Sequence, residues 1–217
     1  MLFVWCKVSF DEKRSHGSAV CETVYFFVEF VCVFPWKCVS LNNQNRGKIM
    51  DGILRKLPIG IQTFEKLREG DYLYVDKTAL VWRIASTETP YFLSRPRRFG
   101  KSLLLSTFEA YFEGKKELFE GLAIADMEKE WKTYPVFHLD LNAEKYDSPQ
   151  ALVEILSRQL TQWELKYGKG EDEETLSGRF AGVIRRASEQ ADRGVVVLVD
   201  EYDKPLLQAL DDGALLD

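Results

Sequence analysis

From Met50 onward, the hydrophobic positions alternate between short continuous apolar runs and stripes with helical spacing. The continuous runs predict strands at Tyr91–Ser94, at Pro135–Leu141 and in the sequence VVVLVDEYD that follows Gly194. The stripes predict helices over Thr63–Glu69, Lys77–Ala85, Lys101–Phe112, Pro149–Tyr167 and Leu176–Ala191. Unbroken β-branched runs are typical of strands covered on both faces. Strands that alternate with helices predict an α/β fold, in which a parallel sheet is flanked by helices.

The N-terminal segment, residues 1–49, holds all four cysteines and the apolar run AVCETVYFFVEFVCVF. This run has no consistent helix or strand period. Glu22 and Glu29 interrupt this run and Pro35 ends it, which disfavours a membrane-spanning helix. We interpret residues 1–49 as a poorly ordered extension, read from a start upstream of the natural folded protein, and residues 50–217 as the folded domain. The alternative is a divergent N-terminal extension with packing of its own.

Charge and cysteine usage narrow the classes of function. The net charge of −5 provides no global basic field that would attract nucleic acid. The cysteines form no CxxC pair, and His16 and His138 lie far apart in the sequence, so a zinc site is disfavoured. Because the N-terminus has no secretory signal, we expect a cytoplasmic protein with reduced cysteines and no membrane partner.

Residues 95–102, RPRRFGKS, fit most of the phosphate-binding P-loop pattern and lie between a predicted strand and a predicted helix. Arg95 stands where that pattern has its first glycine. In such a loop a glycine lets the backbone approach phosphate, a lysine reaches the β and γ phosphates, and a serine hydroxyl binds Mg²⁺. The candidate ATP-binding residues are Arg97, Arg98, Phe99, Gly100, Lys101, Ser102 and Leu103. The alternative is a basic surface loop that contacts nucleic acid or lipid.

The strand sequence VVVLVDEYD ends in an acidic pair, which is the Walker B arrangement. Asp200 is the candidate Mg²⁺ ligand together with Ser102, and Glu201 is the candidate catalytic residue that orients and deprotonates water. Carboxylates at the C-terminal end of a parallel strand belong at the ligand crevice of an open sheet. The alternative is a strand that ends in a solvated acidic turn.

Four other polar residues near these motifs have simpler or open interpretations. His138 in the strand sequence VFHLDL is interpreted as a packed histidine. Asp140 on the same predicted strand could face the site. Asp203 and Lys204 follow the acidic pair directly, and the sequence leaves their roles open.

Five segments in this order resemble the AAA-ATPase-like family of bacterial proteins, which is abundant in gut and oral Bacteroidetes. The segments are LPIGIQTFEKLRE, YLYVDKTALV, YFLSRPRRFGKSLLLST, YPVFHLDL and VVVLVDEYDKPL. An arginine at the position of Arg95 is typical of that family. The resemblance implies a P-loop ATPase core in which Lys101 and Ser102 bind phosphate and Mg²⁺, and Asp200 and Glu201 serve the metal and water.

The resemblance also implies a longer protein. Many full-length members end in a domain similar to PD-(D/E)XK nucleases. We therefore expect an N-terminal fragment that lacks later strands, a polar sensor residue and an arginine finger. Such a fragment would be unstable or would turn ATP over weakly.

Three functions follow for comparison with the structure. The first is Mg²⁺-dependent ATP hydrolysis in the full-length protein, which would serve a nucleic-acid-processing or defence-type system. The second is a nucleotide-dependent switch or interaction module that does not hydrolyse ATP. Glu201 favours the first, because a protein that only binds nucleotide needs no carboxylate to orient water. The third is a basic-loop nucleic-acid binder, which the acidic net charge disfavours.

Overall fold

The fold was analysed in a computed structural model. The chain divides into two compact units, one formed by residues 1–10 and 57–217 and the other by residues 11–56. The elements described below belong to the first unit. Within residues 2–8 the backbone alone is described. The described residues are 2–8, 55–87, 90–94, 99–142, 149–171 and 173–204.

Helices and strands alternate along the described residues. The strands are β1 (Leu2–Val8), β2 (Tyr91–Ser94), β3 (Val136–Asp140) and β4 (Val195–Asp200). The α-helices are α1 (Phe64–Glu69), α2 (Thr78–Ala85), α3 (Lys101–Phe112), α4 (Ala123–Met127), α5 (Pro149–Tyr167) and α6 (Leu176–Ala191), and a short 3₁₀ helix spans Lys116–Phe119. The α/β fold predicted from the sequence is confirmed.

Three elements were not predicted from the sequence. The 3₁₀ helix and α4 are too short to display a helical stripe of hydrophobic positions. Strand β1 lies in the N-terminal segment, whose apolar residues follow no single period. Residues 9–49, which make up most of the predicted N-terminal extension, lie outside the described residues. Among the described helices, none is long and apolar enough to cross a membrane.

The sheet contains strands that run in both directions. Its order is β2-β1-β4-β3. Strands β3 and β4 are parallel, and β1 pairs antiparallel with both β2 and β4. Strands β2, β4 and β3 therefore run in the same direction, and their C-terminal ends lie at one edge of the sheet. At that edge the register pairs Asp140 of β3 with Asp200 of β4.

Helices cover the sheet on both faces, as the apolar sequence of β4 predicts. Val196 and Leu198 belong to a core with α1 to α4. Val195 and Val199 pack on the other face, where the side chains come mainly from α5 and α6. Because side chains alternate along a strand, the even-numbered residues of β4 face α3 and the odd-numbered residues face α5 and α6.

Aromatic side chains fill much of both layers. On the α3 side, Phe64 packs against Phe119 with ring centroids 4.8 Å apart, and both side chains are fully buried. On the other side, Phe137 of β3 stacks on Trp163 of α5 at 4.7 Å. The first contact joins α1 to the 3₁₀ helix, and the second joins β3 to α5, so aromatic packing stabilises both layers at positions distant from the sheet edge.

Asp76 joins two helices on the α3 side of the sheet. One of its carboxylate oxygens accepts a hydrogen bond of 2.8 Å from the backbone N–H of Thr78 at the start of α2. Its other oxygen accepts one of 2.7 Å from the backbone N–H of Ala123 at the start of α4. The same carboxylate therefore caps α2 and positions α4.

Two arginines of α6 bind acidic residues on or just beyond α5. Arg179 forms a bidentate pair with Glu164, in which the N–O distances are 2.7 and 2.8 Å. Arg186 forms a similar pair with Glu173, at 2.5 and 2.9 Å. These hydrogen bonds lower the pKa of Glu164 and of Glu173. We refer to the two helices, their connection and these pairs as the helical hairpin.

Candidate functional site

Helix α3 begins at the C-terminal edge of the sheet with a glycine that the backbone requires. Gly100 precedes the helix in the left-handed conformation, with φ 73° and ψ 27°. A Cβ atom at this position would meet nothing within 4 Å, so conformation and not space selects glycine. Lys101 and Ser102 form the first turn of α3, where backbone N–H groups and the helix dipole favour an anion.

Lys101 is a buried lysine at this helix start. The residue is 5% exposed, and its Nζ lies 3.9 Å from Oε1 of Glu201. The two residues are a hundred positions apart in the sequence. Their contact brings the candidate phosphate-binding loop and the candidate Walker B motif together at one edge of the sheet.

Asp200 ends β4 with its side chain on the α3 side, because it lies two positions beyond Leu198. The residue is 5% exposed, and its Oδ1 atom is buried without a hydrogen-bond partner among the described residues. Its backbone oxygen accepts a hydrogen bond of 3.1 Å from the N–H of Leu141, which fixes the strand end. A buried carboxylate oxygen that lacks a donor fits a cation ligand.

The described residues contain no cluster of three or more acidic, histidine or cysteine side chains that could enclose a metal ion. Mg²⁺ keeps several waters and is commonly bound by one or two protein oxygens together with substrate phosphates. Asp200 and the half-buried Ser102 would be the protein ligands of such an ion.

Glu201 departs from the alternation of β4. A regular strand would direct the residue after Asp200 towards α5 and α6. Glu201 instead has φ 54°, in the left-handed region that is uncommon for residues other than glycine, and its carboxylate contacts Lys101 on the α3 side. The side chains of two consecutive acidic residues thus lie on the same side of the sheet.

The surroundings of Glu201 change its acidity. The residue is 9% exposed. Burial raises the pKa of Glu201, the Lys101 ammonium opposes this rise, and the charges of Asp200 and Asp203 add to it. A carboxylate whose pKa is raised is a stronger base than an ordinary glutamate, which suits a group that accepts a proton from water.

The turn after β4 contains a residue whose role the sequence left open. Asp203 is 8% exposed and lies close enough to raise the pKa of Glu201. The Nζ of Lys204 donates a hydrogen bond of 2.7 Å to the backbone oxygen of Asn142. This bond ties the turn after β4 to the turn after β3. The run of acids in DEYD was the sequence signal for Asp203, but its burial could not be read from that run.

The remaining candidate binding residues lie in different environments. Phe99 is 63% exposed directly before Gly100. The side chain of Leu103 packs against the core on the α3 side. Arg97 and Arg98 lie outside the described residues, as does Arg95.

Two polar residues of β3 have structural contacts. The Nδ1 atom of His138 lies 3.0 Å from Oε2 of Glu109 on α3, and the histidine is half-buried, in keeping with its interpretation as a packed residue. Asp140 is exposed, and its Oδ1 accepts a hydrogen bond of 2.7 Å from the N–H of Asn142. Asp140 therefore shapes its own turn.

Residues 58–217 match the protein family described as "Predicted AAA-ATPase". A protein of Azotobacter chroococcum mcd 1, described as "Uncharacterized protein in vnfD 5'region", is 44% identical over 157 residues. That alignment covers 72% of this chain and 30% of the relative, so the chain spans well under half of the relative's length. No solved structure matches the chain. The family match includes the start of α3 and the acidic end of β4, and the chain belongs to the predicted AAA-ATPase family.

Proposed function

We propose that this chain binds ATP with Mg²⁺ at the edge formed by the start of α3 and the end of β4. The observation that carries the proposal is the contact of 3.9 Å between Lys101 and Glu201, which joins two sequence motifs that are distant along the chain. A helix N-terminus, a buried lysine and a buried carboxylate are the parts that phosphate and its metal ion require.

Each side chain has a distinct proposed task. Lys101 holds the β and γ phosphates, while Ser102 and Asp200 bind Mg²⁺. When bound, Mg²⁺ would neutralise phosphate charge. Glu201 accepts the proton of the attacking water, and its raised pKa supports this task. Arg97, Arg98, the exposed Phe99 and the backbone at Leu103 would complete the binding surface.

Hydrolysis is proposed for the full-length protein. The chain covers 30% of the Azotobacter relative, so residues from a longer protein could contribute to turnover. Service to a nucleic-acid-processing or defence-type system rests on the family resemblance, as does a nuclease-like C-terminal domain that would contact nucleic acid. We also propose a cytoplasmic location. The second candidate is a switch that binds nucleotide without hydrolysis.

The binding proposal is tested by Lys101→Ala in the 217-residue chain. We expect affinity for Mg²⁺-ATP to fall on the order of a hundredfold, because one buried electrostatic contact to phosphate is lost. Isothermal titration calorimetry measures the affinity. Lys166→Ala removes the same charge from an exposed position on α5 and should bind as the unchanged chain does.

Equal affinities for the Lys101→Ala variant and the unchanged chain would contradict the proposed site. Phosphate release measured on the same samples separates the two functions. Binding without release supports the switch, and release that Glu201→Gln abolishes supports hydrolysis. DNA binding that is salt-dependent and indifferent to ATP would support the basic-loop function instead.

A further inference from the structure

The lysine and the glutamate of the proposed site are paired with each other. Their side chains are 4% and 11% exposed, and the charged atoms are 3.9 Å apart. Charges at such depth attract one another more strongly than charges in water. Removal of one partner would leave the other with a buried charge that has lost its counter-ion. Lys101 and Glu201, called the resting pair below, thus form a buried ion pair and not an incidental surface contact.

The backbone supports the resting pair. Glu201 has φ 54°, in the left-handed region that is unfavourable for residues other than glycine. The N–H of Lys204 donates a hydrogen bond of 3.0 Å to the backbone oxygen of Glu201, which closes the turn. Costly conformations persist where the surroundings enforce them, and they are concentrated at functional sites. Here the conformation directs the carboxylate to Lys101.

Phosphate and the Glu201 carboxylate compete for the same cation. Lys101 has one charged nitrogen, and the first turn of α3 leads an incoming phosphate to it. When Lys101 turns to phosphate, Glu201 loses its counter-ion beside the buried carboxylates of Asp200 and Asp203. The carboxylate is then repelled by its neighbours and becomes available to water.

We propose that the resting pair inhibits the site until nucleotide binds. In the nucleotide-free protein Glu201 is paired with Lys101, and phosphate then replaces Glu201 as the partner of Lys101. This inference rests on the proposed nucleotide function and adds a mode of regulation to it. Two consequences follow. Nucleotide binds more weakly than it would if Lys101 were not paired with Glu201, because part of the binding free energy is used to break the resting pair. The glutamate also reaches water only when phosphate is present.

The test measures the affinity of the 217-residue chain for ADP without Mg²⁺ by isothermal titration calorimetry. ADP carries the β phosphate but cannot be hydrolysed at the γ position, so a loss of turnover cannot imitate tighter binding. Glu201→Gln keeps the length of the side chain and removes its charge. We expect this variant to bind ADP about tenfold more tightly than the unchanged chain, because the Glu201 carboxylate no longer competes with phosphate for Lys101.

Glu189→Gln is the matched control. It removes the same charge from an exposed residue of α6 that pairs with Arg185, and its affinity for ADP should equal that of the unchanged chain. Equal tightening in Glu189→Gln and Glu201→Gln would reveal a general charge effect and overturn the inference. Unchanged or weaker binding in Glu201→Gln alone would also overturn it and leave the nucleotide site standing. Absence of ADP binding in both the unchanged chain and Glu201→Gln would overturn the site as well.

Glu201→Asp gives a second test if the glutamine variant does not fold. It keeps the charge but shortens the side chain by one methylene group, which lengthens a contact that is already 3.9 Å. We expect ADP affinity between those of the unchanged chain and Glu201→Gln. Affinity equal to that of the unchanged chain would contradict the inference.

Discussion

The sheet edge at α3 and the helical hairpin both bury charged side chains. The two regions differ in the geometry of their ion pairs and in the direction in which the pKa of the acid is shifted. In the hairpin, Arg179 and Glu164 meet in two hydrogen bonds of 2.7 and 2.8 Å, and the arginine lowers the pKa of the acid. At the sheet edge, Lys101 and Glu201 are 3.9 Å apart, and the pKa of the acid is raised. Acidic and basic residues therefore form a bidentate ion pair in one region and the proposed ligand site in the other.

The difference lies in how completely each charge is satisfied. Arg179 also donates to the hydroxyl oxygens of Ser157 and Thr161, so its guanidinium is surrounded by acceptors. Asp200 keeps a buried oxygen without a hydrogen-bond partner among the described residues. A satisfied buried pair adds specificity to folding, whereas an unsatisfied one costs stability unless a ligand completes it. The buried and unsatisfied carboxylate of Asp200 is expected to destabilise the folded protein, and this supports the proposal that a ligand binds at the sheet edge.

The largest expected change in the free energy of unfolding comes from removing the Arg179–Glu164 pair of the helical hairpin. Arg179→Ala should lower the free energy of unfolding by about 3 kcal/mol, because Glu164 is left buried without its counter-ion. Urea unfolding followed by circular dichroism measures the change. The double variant Arg179→Met with Glu164→Leu removes both charges and should recover most of the loss. A loss too small to detect in Arg179→Ala would mean that the hairpin pair is not a stabilising contact.

A smaller effect of opposite sign is expected at the sheet edge. Asp200→Asn should raise the free energy of unfolding by about 1 kcal/mol without Mg²⁺, because a buried charge with an unsatisfied oxygen is removed. The same urea experiment measures it. Asp126→Asn makes the same chemical change at an exposed residue of α4 and should leave stability unchanged. Marked destabilisation by Asp200→Asn would show that this carboxylate serves the fold and not a ligand.

The smallest expected change in the free energy of unfolding comes from an ion pair that is exposed to solvent and not buried. Arg185 and Glu189 on α6 form an ion pair at 3.3 Å, with side chains 54% and 60% exposed. Arg185→Ala should change the free energy of unfolding by about 0.3 kcal/mol, because solvent screens an exposed pair. A change as large as that of Arg179→Ala would mean that burial does not explain the stability of the hairpin.

Local sequence patterns predicted most of the fold. The stripe after Gly100 defined α3, and the apolar run before Asp200 defined β4, because each pattern depends on residues close together in the chain. The two motifs also identified the residues of the candidate site. The strand order and the placement of β1 depend on long-range pairing, which short-range periodicity does not encode.

The contact between Lys101 and Glu201 could not be predicted for the same reason. It requires the left-handed backbone of Glu201, which no residue type in DEYD specifies, and it requires the ends of α3 and β4 to meet. The burial of Asp203 follows from that turn. The hairpin pair of Arg179 with Glu164 also needed the relative rotation of two helices, although each helix was predicted.

Strand β1 lies between the strand that leads to the phosphate-binding loop and the strand that ends in the acidic pair. Adjacent strands are about 4.8 Å apart, so the backbones of β2 and β4 are separated by roughly 10 Å. Strand β1 fills that gap and pairs through main-chain hydrogen bonds with both neighbours. The separation of the two strands that precede the motifs is therefore set by a strand that contains neither motif.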